Sequence, residues 1–461
     1  MKSSLYNMIV PCKKENKKEN ENEKRNGNKN KRRYKNEKRF AVFNTLHGSL
    51  LFVDEELKSI LEAETFDLLD EETLTTLKRL GIVIDDLDEK KFLSFHMKSL
   101  IYASRSASFS VLPTYACNLA CPYCYEGCGE LHRSTMSTEM VTQVIQGIRA
   151  YCLDNGICNL GLTLYGGEPL LHKKASLNLV TTLGKWAGPE GIAYKCNMIT
   201  NGTLITEQIL SEFEPYLKMV QLTVDGPQLY HDKKRVQKNG EGTYETIMGA
   251  VNTARDCHIK VMIRIQVAQD NIHEIDTLFQ DLAERGFNKD ENIHAYVFPL
   301  MSINDVCSSY ASLCSEEDAQ LLPQLWRTAR EYGFDMVSKP VQIFRSPYCS
   351  FAALHSFLVD ALGDVYTCVS VVGDQKYRVA RITEKGLKDI TPELYAFTVR
   401  DPTEIRKCQN CVVLPLCGGG CAHRAYQKYG SYQAGDCTLH KGLEEEKLVL
   451  YLEKMYPDRM G

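Results

Sequence analysis

The sequence predicts an α/β fold built on parallel strands that alternate with helices. Three observations carry that reading. From Phe109 to Leu300, apolar runs of strand length recur six times, with stretches of helical period between them. The runs read as strands buried on both faces, which a parallel sheet requires. Finally, the chemistry-bearing residues fall repeatedly just after those runs, where α/β barrels gather their functional groups.

The N-terminal segment, residues 1–100, precedes this pattern. Strand-like pieces at Leu5–Val10 and Phe40–Asn44 flank Lys13–Arg39, a run with 13 Lys or Arg, five Glu and almost no apolar residue. Such a composition cannot bury a core and reads as a disordered insertion. Its net charge is 13 − 5 = +8, which leaves −12 on the rest of a chain whose total is −4. Long loops add little closure entropy, so the run reads as an overgrown hairpin loop. After His47-Gly48-Ser49 come a short strand, Leu50–Val53, and helical patterns at Glu55–Glu62 and Glu71–Leu80, the last closed by Gly81. Strands followed by helices at this length suggest a small winged-helix-like domain.

Residues 101–335 hold the strand–helix repeats. Strands are expected at Phe109–Thr114, Gly161–Tyr165, Lys195–Thr200, Val220–Val224, Val261–Val267 and Ala295–Leu300. Helices are expected at Thr138–Leu153, Glu207–Leu217, Tyr244–Cys257 and Ile272–Arg285. The first strand leads into Cys117-Asn-Leu-Ala-Cys121-Pro-Tyr123-Cys124-Tyr125. Three thiols on so short a loop converge on one point, and soft thiolates at this spacing suit iron–sulfur ligation. A structural zinc closes on four ligands, and a disulfide framework belongs to small secreted chains. With three thiolates, a four-iron cluster keeps one iron free for a ligand that is not protein.

Further polar turns follow the next strands. Tyr165-Gly166-Gly167-Glu168-Pro169 leaves backbone groups open to a ligand and then supplies a carboxylate. Thr200-Asn201-Gly202-Thr203 faces the same mouth, and Thr223-Val224-Asp225-Gly226-Pro227 is followed by His231, Asp232 and Arg235. His231 and Asp232 read as a turn leading into a helix. Arg264 and Gln266 share one face of the fifth strand by period two, where they either touch a ligand or complete a polar barrel interior.

The cysteine loop resembles the signature of the radical S-adenosylmethionine (SAM) enzymes. That resemblance implies a partial (β/α)6 TIM-like barrel and a cluster whose open iron binds the amino and carboxylate groups of SAM. An electron from the cluster then releases a 5′-deoxyadenosyl radical. The Gly166-Gly167-Glu168-Pro169 stretch resembles the family motif that holds the cofactor's amino group. Within the family, the residue before Asp-Gly and a following arginine approach the cofactor carboxylate, here Thr223 and Arg235. A guanidinium suits that task because it gives two parallel hydrogen bonds. Tyr123 and Asn201 complete the implied SAM site.

Residues 336–461 carry a second thiol system: Cys349, then Gly363-x4-Cys368, then Cys408-x2-Cys411-x5-Cys417-x3-Cys421, and Cys437. Three glycines between Cys417 and Cys421 let backbone wrap closely around a cluster. Seven cysteines in this pattern point to two bound metal centres. The pattern resembles the SPASM extension of radical SAM enzymes, implying two auxiliary clusters and three four-iron, four-sulfur clusters in all. By that resemblance Cys408, Cys411, Cys417 and Cys437 hold the second auxiliary cluster, and Cys349, Cys368 and Cys421 the first. Full versions of the extension have another cysteine shortly before the one matching Cys349, and Lys339–Tyr348 contains none. The first auxiliary cluster then keeps an open iron or borrows Cys307 or Cys314. An open iron there would bind a substrate thiolate, a route to a thioether. The other eight cysteines (Cys12, Cys128, Cys152, Cys158, Cys196, Cys257, Cys307 and Cys314) are read by default as small buried hydrophobes.

The N-terminal segment is similar to the recognition element found before many radical SAM enzymes that modify ribosomally made peptides. That similarity implies a precursor peptide bound through its leader as an added strand. Taken together, the chain resembles a radical SAM/SPASM peptide maturase that abstracts hydrogen and joins sulfur to carbon, served by a flavodoxin- or ferredoxin-type electron donor. No acid or base is singled out. A related reading is an anaerobic sulfatase maturase forming formylglycine. Those enzymes place an Asp base directly after the cysteine matching Cys368, and this chain has Val369. Peptide carbon–carbon or carbon–oxygen crosslinking is a further alternative. Nucleic-acid binding rests on the basic run alone, against an acidic remainder, and a structural zinc protein would not need so many cysteines. With 44% hydrophobic residues, no run of about 18 apolar residues and 18 cysteines without an export signal, the sequence points to a reducing cytoplasm and away from a membrane.

Overall fold

The computed structural model describes residues 1–12, 38–126, 134–301, 318–340, 349, 352–440 and 442–460. The basic run, apart from Lys38 and Arg39, lies outside them, as do Cys128, Cys307 and Cys314.

The first elements are β1 (Lys2–Ser3), β2 (Asn7–Pro11), β3 (Arg39–Asn44) and β4 (Leu50–Asp54). β2 and β3 pair antiparallel from Asn7↔Asn44 to Pro11↔Phe40, so the basic run connects two paired strands. β4 continues the sheet antiparallel to β3. The helices α1 (Glu55–Ala63) and α2 (Glu71–Arg79) start at Asp54 and Asp70, whose carboxylates accept from Leu57 N–H and Thr73 N–H. α2 ends before Gly81, whose φ of +68° suits a left-handed cap. Val42, Val53, Ile60, Leu61, Leu77 and Ile82 form the core beneath them. β5 (Val83–Ile84) then pairs with β1, and α3 (Glu89–Tyr102) follows, an element without a strong sequence signal. Residue 100 falls inside α3, which packs Leu93 and Met97 against Ile405 and Leu414 from the other end of the chain.

Next come β6 (Ser106–Val111), α4 (Thr138–Asp154), β7 (Asn159–Leu164), α5 (Lys173–Ala187), β8 (Ala193–Ile199) and α6 (Glu207–Glu212). After them run β9 (Leu217–Val224), α7 (Gln228–Lys234), α8 (Tyr244–Asp256), β10 (Lys260–Val267), α9 (Ile275–Glu284) and β11 (Ile293–Pro299). The six strands are parallel neighbours in sequence order, as the repeats predict. Three of the expected helices differ little in extent. The helix expected over Glu207–Leu217 stops at Glu212, because Pro215 has no N–H to continue it and Leu217 already belongs to β9. Phe109, Leu162, Val220, Leu222 and Ile263 are fully buried beneath the covering helices.

After α10 (Leu322–Glu331), the chain returns to this sheet. β12 (Ser356–Val359) lies parallel to β6, and β13 (Asp364–Tyr366), β14 (Ala380–Thr383) and β15 (Gly386–Lys388) extend it antiparallel. The resulting ten-stranded sheet runs β11-β10-β9-β8-β7-β6-β12-β13-β14-β15, a partial barrel with two free ends rather than a closed ring. Its continuity carries the sheet past residue 336. Five more helices follow among the described residues: α11 (Pro392–Thr398), α12 (Leu414–Cys417), α13 (Ala422–Tyr429), α14 (Leu443–Met455) and α15 (Pro457–Met460). α14 packs Leu448 and Leu452 on Met8, Val10 and Phe43, so the N-terminal sheet is sandwiched between its own helices and the C-terminal one. No helix among the described residues is long and apolar enough to cross a membrane.

Candidate active site

The C-terminal ends of the parallel strands surround a cavity of about 310 Å³. Cys117, Cys121 and Cys124 line it from the loop after β6. Gly166 and Gly167 come from the loop after β7, Asn201 from that after β8, Thr223 from β9 itself, Arg235 from beyond β9, and Arg264 and Gln266 from β10. The period-two expectation for Arg264 and Gln266 therefore holds.

The cysteine loop is held on several sides. Gly167 N–H donates to Thr114 O at 3.2 Å and Glu168 N–H to Ala116 O at 2.9 Å. A Cβ on Gly167 would lie 2.3 Å from the carbonyl oxygens of Tyr115 and Ala116, so only glycine permits this close passage. Asn118 and Asn201 bond through their amides at 2.8 Å, and Ala120 N–H donates to Val236 O at 2.8 Å. Cys117 Sγ accepts from Leu119 N–H at 3.4 Å. Burial pushes the Cys117 thiol up to about 11 and the Cys121 thiol up to about 12, and the facing thiols add to both shifts.

The remaining predicted contacts divide in two. Tyr123, Asn201, Thr223, Arg235 and the two glycines border the cavity, whereas Glu168 and Pro169 stand behind its wall. The fully buried Glu168 carboxylate accepts from Thr200 Oγ1 at 2.9 Å, Asn201 N–H at 2.8 Å and Leu170 N–H at 2.9 Å. It ties the loop after β7 to the loop after β8. His231 and Asp232 lie inside α7 rather than in a turn before a helix, and both make structural contacts. Asp232 accepts from Thr243 N–H and Tyr244 N–H at the start of α8, while His231 bridges Asp225 N–H and Thr243 Oγ1.

The C-terminal cysteines fall into two groups. Burial pushes the Cys368 thiol up to about 12, and the thiols whose charges add to that shift are Cys349 and Cys421. Burial likewise raises Cys408 to about 11 with Cys437 and Cys411 beside it, and Cys417 to about 12 with Cys411 and Cys408 beside it. Gly420 brings the segments together, since a Cβ there would lie 1.6 Å from Asp436 O, next to Cys437. Arg400, 2% exposed, fixes this crossing by donating to the carbonyls of Gly418, Gly419, Tyr432 and Ala434 at 2.7–3.2 Å. Among the described residues no three metal-binding side chains close on a single ion. Thiolates that each bind a different iron of a cluster stand further apart than the ligands of one zinc, which all lie about 2.3 Å from the metal.

Residues 111–282 match the radical SAM superfamily, and residues 349–412 match SPASM, an iron–sulfur cluster-binding domain. The chain is a radical SAM enzyme with a SPASM domain. A serine-type anaerobic sulfatase-maturating enzyme of Klebsiella aerogenes is 22% identical over 320 residues, which is 66% of this chain and 77% of that protein. The structure of native anSMEcpe with bound AdoMet aligns with a TM-score of 0.57 and 18% identity, covering 77% of this chain and 98% of the other. Streptococcus suis SuiB bound to precursor peptide SuiA aligns with a TM-score of 0.52 and 16% identity, covering 87% and 96%. At these identities the two structures establish a shared fold.

The radical SAM and SPASM domains imply SAM and iron–sulfur clusters, and the residues present fit them. Cys117, Cys121 and Cys124 all border the cavity, while Arg235 Nε, Arg264 Nε and Gln266 Nε2 are buried donors without a partner among the described residues. An anionic group in the cavity would satisfy such donors. Glu126 and Tyr165 are among the cavity residues that the sequence reading did not single out as site residues. Glu126, 5% exposed, lines the cavity with neither carboxylate oxygen hydrogen-bonded, and burial pushes its carboxyl well up. Its only sequence signal is its place just after the cysteine loop. Tyr165 stands where the charges of both Cys124 and Cys368 reach its hydroxyl, so it looks toward both thiol systems. The default for the other cysteines holds for Cys152 and Cys196, which are fully buried. Cys12, Cys158 and Cys257 are only partly buried, because they sit at element ends where the chain turns to the surface.

Proposed function

We propose that the chain modifies a ribosomally made precursor peptide by forming a thioether between a cysteine sulfur and a carbon. The observation that carries this reading is the cavity itself: Cys117, Cys121 and Cys124 border one side, and Val369 and Ser370, directly after Cys368, border another. Cys117, Cys121 and Cys124 would hold the SAM cluster. Cys349, Cys368 and Cys421 would hold the first auxiliary cluster, and Cys408, Cys411, Cys417 and Cys437 the second. Loaded in this way, the site supplies a 5′-deoxyadenosyl radical that takes a substrate hydrogen atom, and a sink for the electron left over when carbon bonds to sulfur. For the peptide the net change would be loss of one C–H and one S–H bond and gain of one C–S bond, the hydrogen atom leaving on 5′-deoxyadenosine, the thiol hydrogen as a proton to solvent and one electron to the sink.

The chain's own residues bind, orient and exclude water. Arg235, with Thr223 beside it, receives the SAM carboxylate. Backbone groups of Gly166 and Gly167 would meet the amino group, and Tyr123 and Asn201 border the same pocket. Glu168 acts at one remove by fixing Asn201. Leu119, Phe298 and Leu300 add apolar surface to the cavity. Arg264 lies over the Phe298 ring at 4.4 Å, which sets the direction of its guanidinium.

Residues 1–100 are the leader-binding domain, 101–335 the barrel and 336–461 the auxiliary-cluster domain. Among the described residues β4 pairs only with β3, so its outer edge offers backbone groups to an added strand. SuiB, whose structure holds its precursor peptide, supports that kind of partner. A flavodoxin- or ferredoxin-type protein would supply electrons.

The sulfatase-maturating relative favours a second reading, formylglycine formation. Val369 speaks against it, because an isopropyl group cannot take the proton that those enzymes' Asp base takes. Mass spectrometry of the peptide encoded beside this gene, after anaerobic turnover, separates the two. Loss of two hydrogens together with loss of a titratable thiol supports the thioether. An aldehyde trapped by a hydrazide supports formylglycine and excludes the thioether.

A further inference from the structure

The N-terminal segment touches the second auxiliary cysteine set directly. Tyr6, just before β2, is fully buried in a cluster with Leu46, Leu93, Ile405, Cys408 and Leu414, with Cys411 packed against it. Among the described residues its hydroxyl has no hydrogen-bond partner. A buried donor left unsatisfied is costly, so a native acceptor is expected nearby.

The backbone around Tyr6 is fixed on both sides. Tyr6 O accepts from Thr45 N–H at 2.8 Å, and Thr45 Oγ1 lies 2.5 Å from Val412 O, the carbonyl next to Cys411. Lys90 Nζ donates to Asn410 Oδ1 at 2.9 Å on the other side of that cysteine. A tyrosine phenol carries its proton at ordinary pH and so is available as a donor. Glu89 is already engaged by the Ser4 hydroxyl and, at 2.9 Å, by Leu5 N–H.

We propose that the Tyr6 hydroxyl donates a hydrogen bond to a sulfur of the second auxiliary cluster, so that the N-terminal domain tunes the reduction potential of that cluster. The proposal rests on the assignment of Cys408, Cys411, Cys417 and Cys437 to one cluster. Reduction adds negative charge to the sulfurs and strengthens any hydrogen bond they accept, so a donor raises the potential. Because Tyr6 belongs to the proposed leader-binding domain, one side chain links peptide recognition to the electron sink.

The test is a redox titration of the full-length, anaerobically reconstituted protein, followed by electron paramagnetic resonance. The signal lost in Cys411→Ala marks the second auxiliary cluster. Tyr6→Phe keeps the ring and removes only the donor. It should leave iron content unchanged and make that one couple harder to reduce by roughly tenfold, about 59 mV for one electron. A loosened wall that admitted water would move the couple the other way, because solvent favours the more charged, reduced state. An unchanged or raised potential overturns the hydrogen bond while leaving the cluster assignment standing. If Cys411→Ala removes neither iron nor signal, the assignment itself is overturned, and the proposal with it.

Discussion

Arg235 Nη1 donates to the hydroxyl of Tyr123 at 3.0 Å, and that hydroxyl donates in turn to the Asp225 carboxylate. The residue between Cys121 and Cys124 is thereby clamped to the segment beyond β9. This contact links the first cysteine site to the proposed carboxylate-binding arginine.

Arg235→Lys should raise the SAM dissociation constant by at least about tenfold, because an ammonium cannot reproduce the paired hydrogen bonds of a guanidinium. Equilibrium dialysis on the iron-loaded protein measures the effect. Tyr123→Phe should weaken binding less, since Arg235 keeps its charge. An equal loss in both variants would show that the clamp matters more than the cation.

Glu168→Gln should destabilise the fold by about 1–3 kcal/mol, because an amide NH2 would replace one of the oxygens that accept from Thr200, Asn201 and Leu170. Urea unfolding of the metal-free chain measures this. Thr223→Ala, which alters the cavity surface, should change stability by no more than about 0.5 kcal/mol. If Thr223→Ala is the more destabilising, Glu168 is not the strut described.

The barrel and both thiol systems are legible in the sequence because they rest on local signals: apolar runs of strand length and close cysteine spacings. Contacts between distant segments are not legible in the same way. β12 reads as a short apolar run, and nothing local says that Ser356 lies opposite Ser108 in the barrel sheet. Arg400 looks like one surface arginine among many until four carbonyls gather around it. The motif places Glu168 at the cofactor, and in three dimensions its carboxylate is held by Thr200, Asn201 and Leu170. Sequence spacing says which residues meet at the cavity but not which way a carboxylate between two loops points.

His231 offers a pH test. Its Nδ1 accepts from Asp225 N–H, so the ring is neutral and Nε2–H donates to Thr243 Oγ1. Burial, with the Arg235 charge adding to it, holds the imidazole well below its usual value near 6.5. The unfolded chain therefore takes up a proton below about pH 6.5 that the folded chain refuses. Stability is full above that pH and falls as pH drops through it, by at most about 1.4 kcal/mol per pH unit. His231→Gln should flatten the difference between urea midpoints at about pH 7.5 and about pH 5.5. An unaltered slope would assign the acid sensitivity to other groups.

The two auxiliary sets predict a pattern of iron loss. Cys368→Ala and Cys437→Ala should each remove about four irons, and the two together about eight. Combining Cys408→Ala with Cys437→Ala should remove no more than either alone, because both belong to one set. Additive loss within a set would break the grouping.

The central claim is tested most directly by SAM cleavage in anaerobically reconstituted protein under a strong reductant, with iron counted in the same sample. The account predicts about twelve irons per chain and formation of 5′-deoxyadenosine. Cys121→Ala should abolish the product while keeping about eight irons. Iron-replete protein that forms no 5′-deoxyadenosine, or a Cys121→Ala variant that still forms it, would contradict the account.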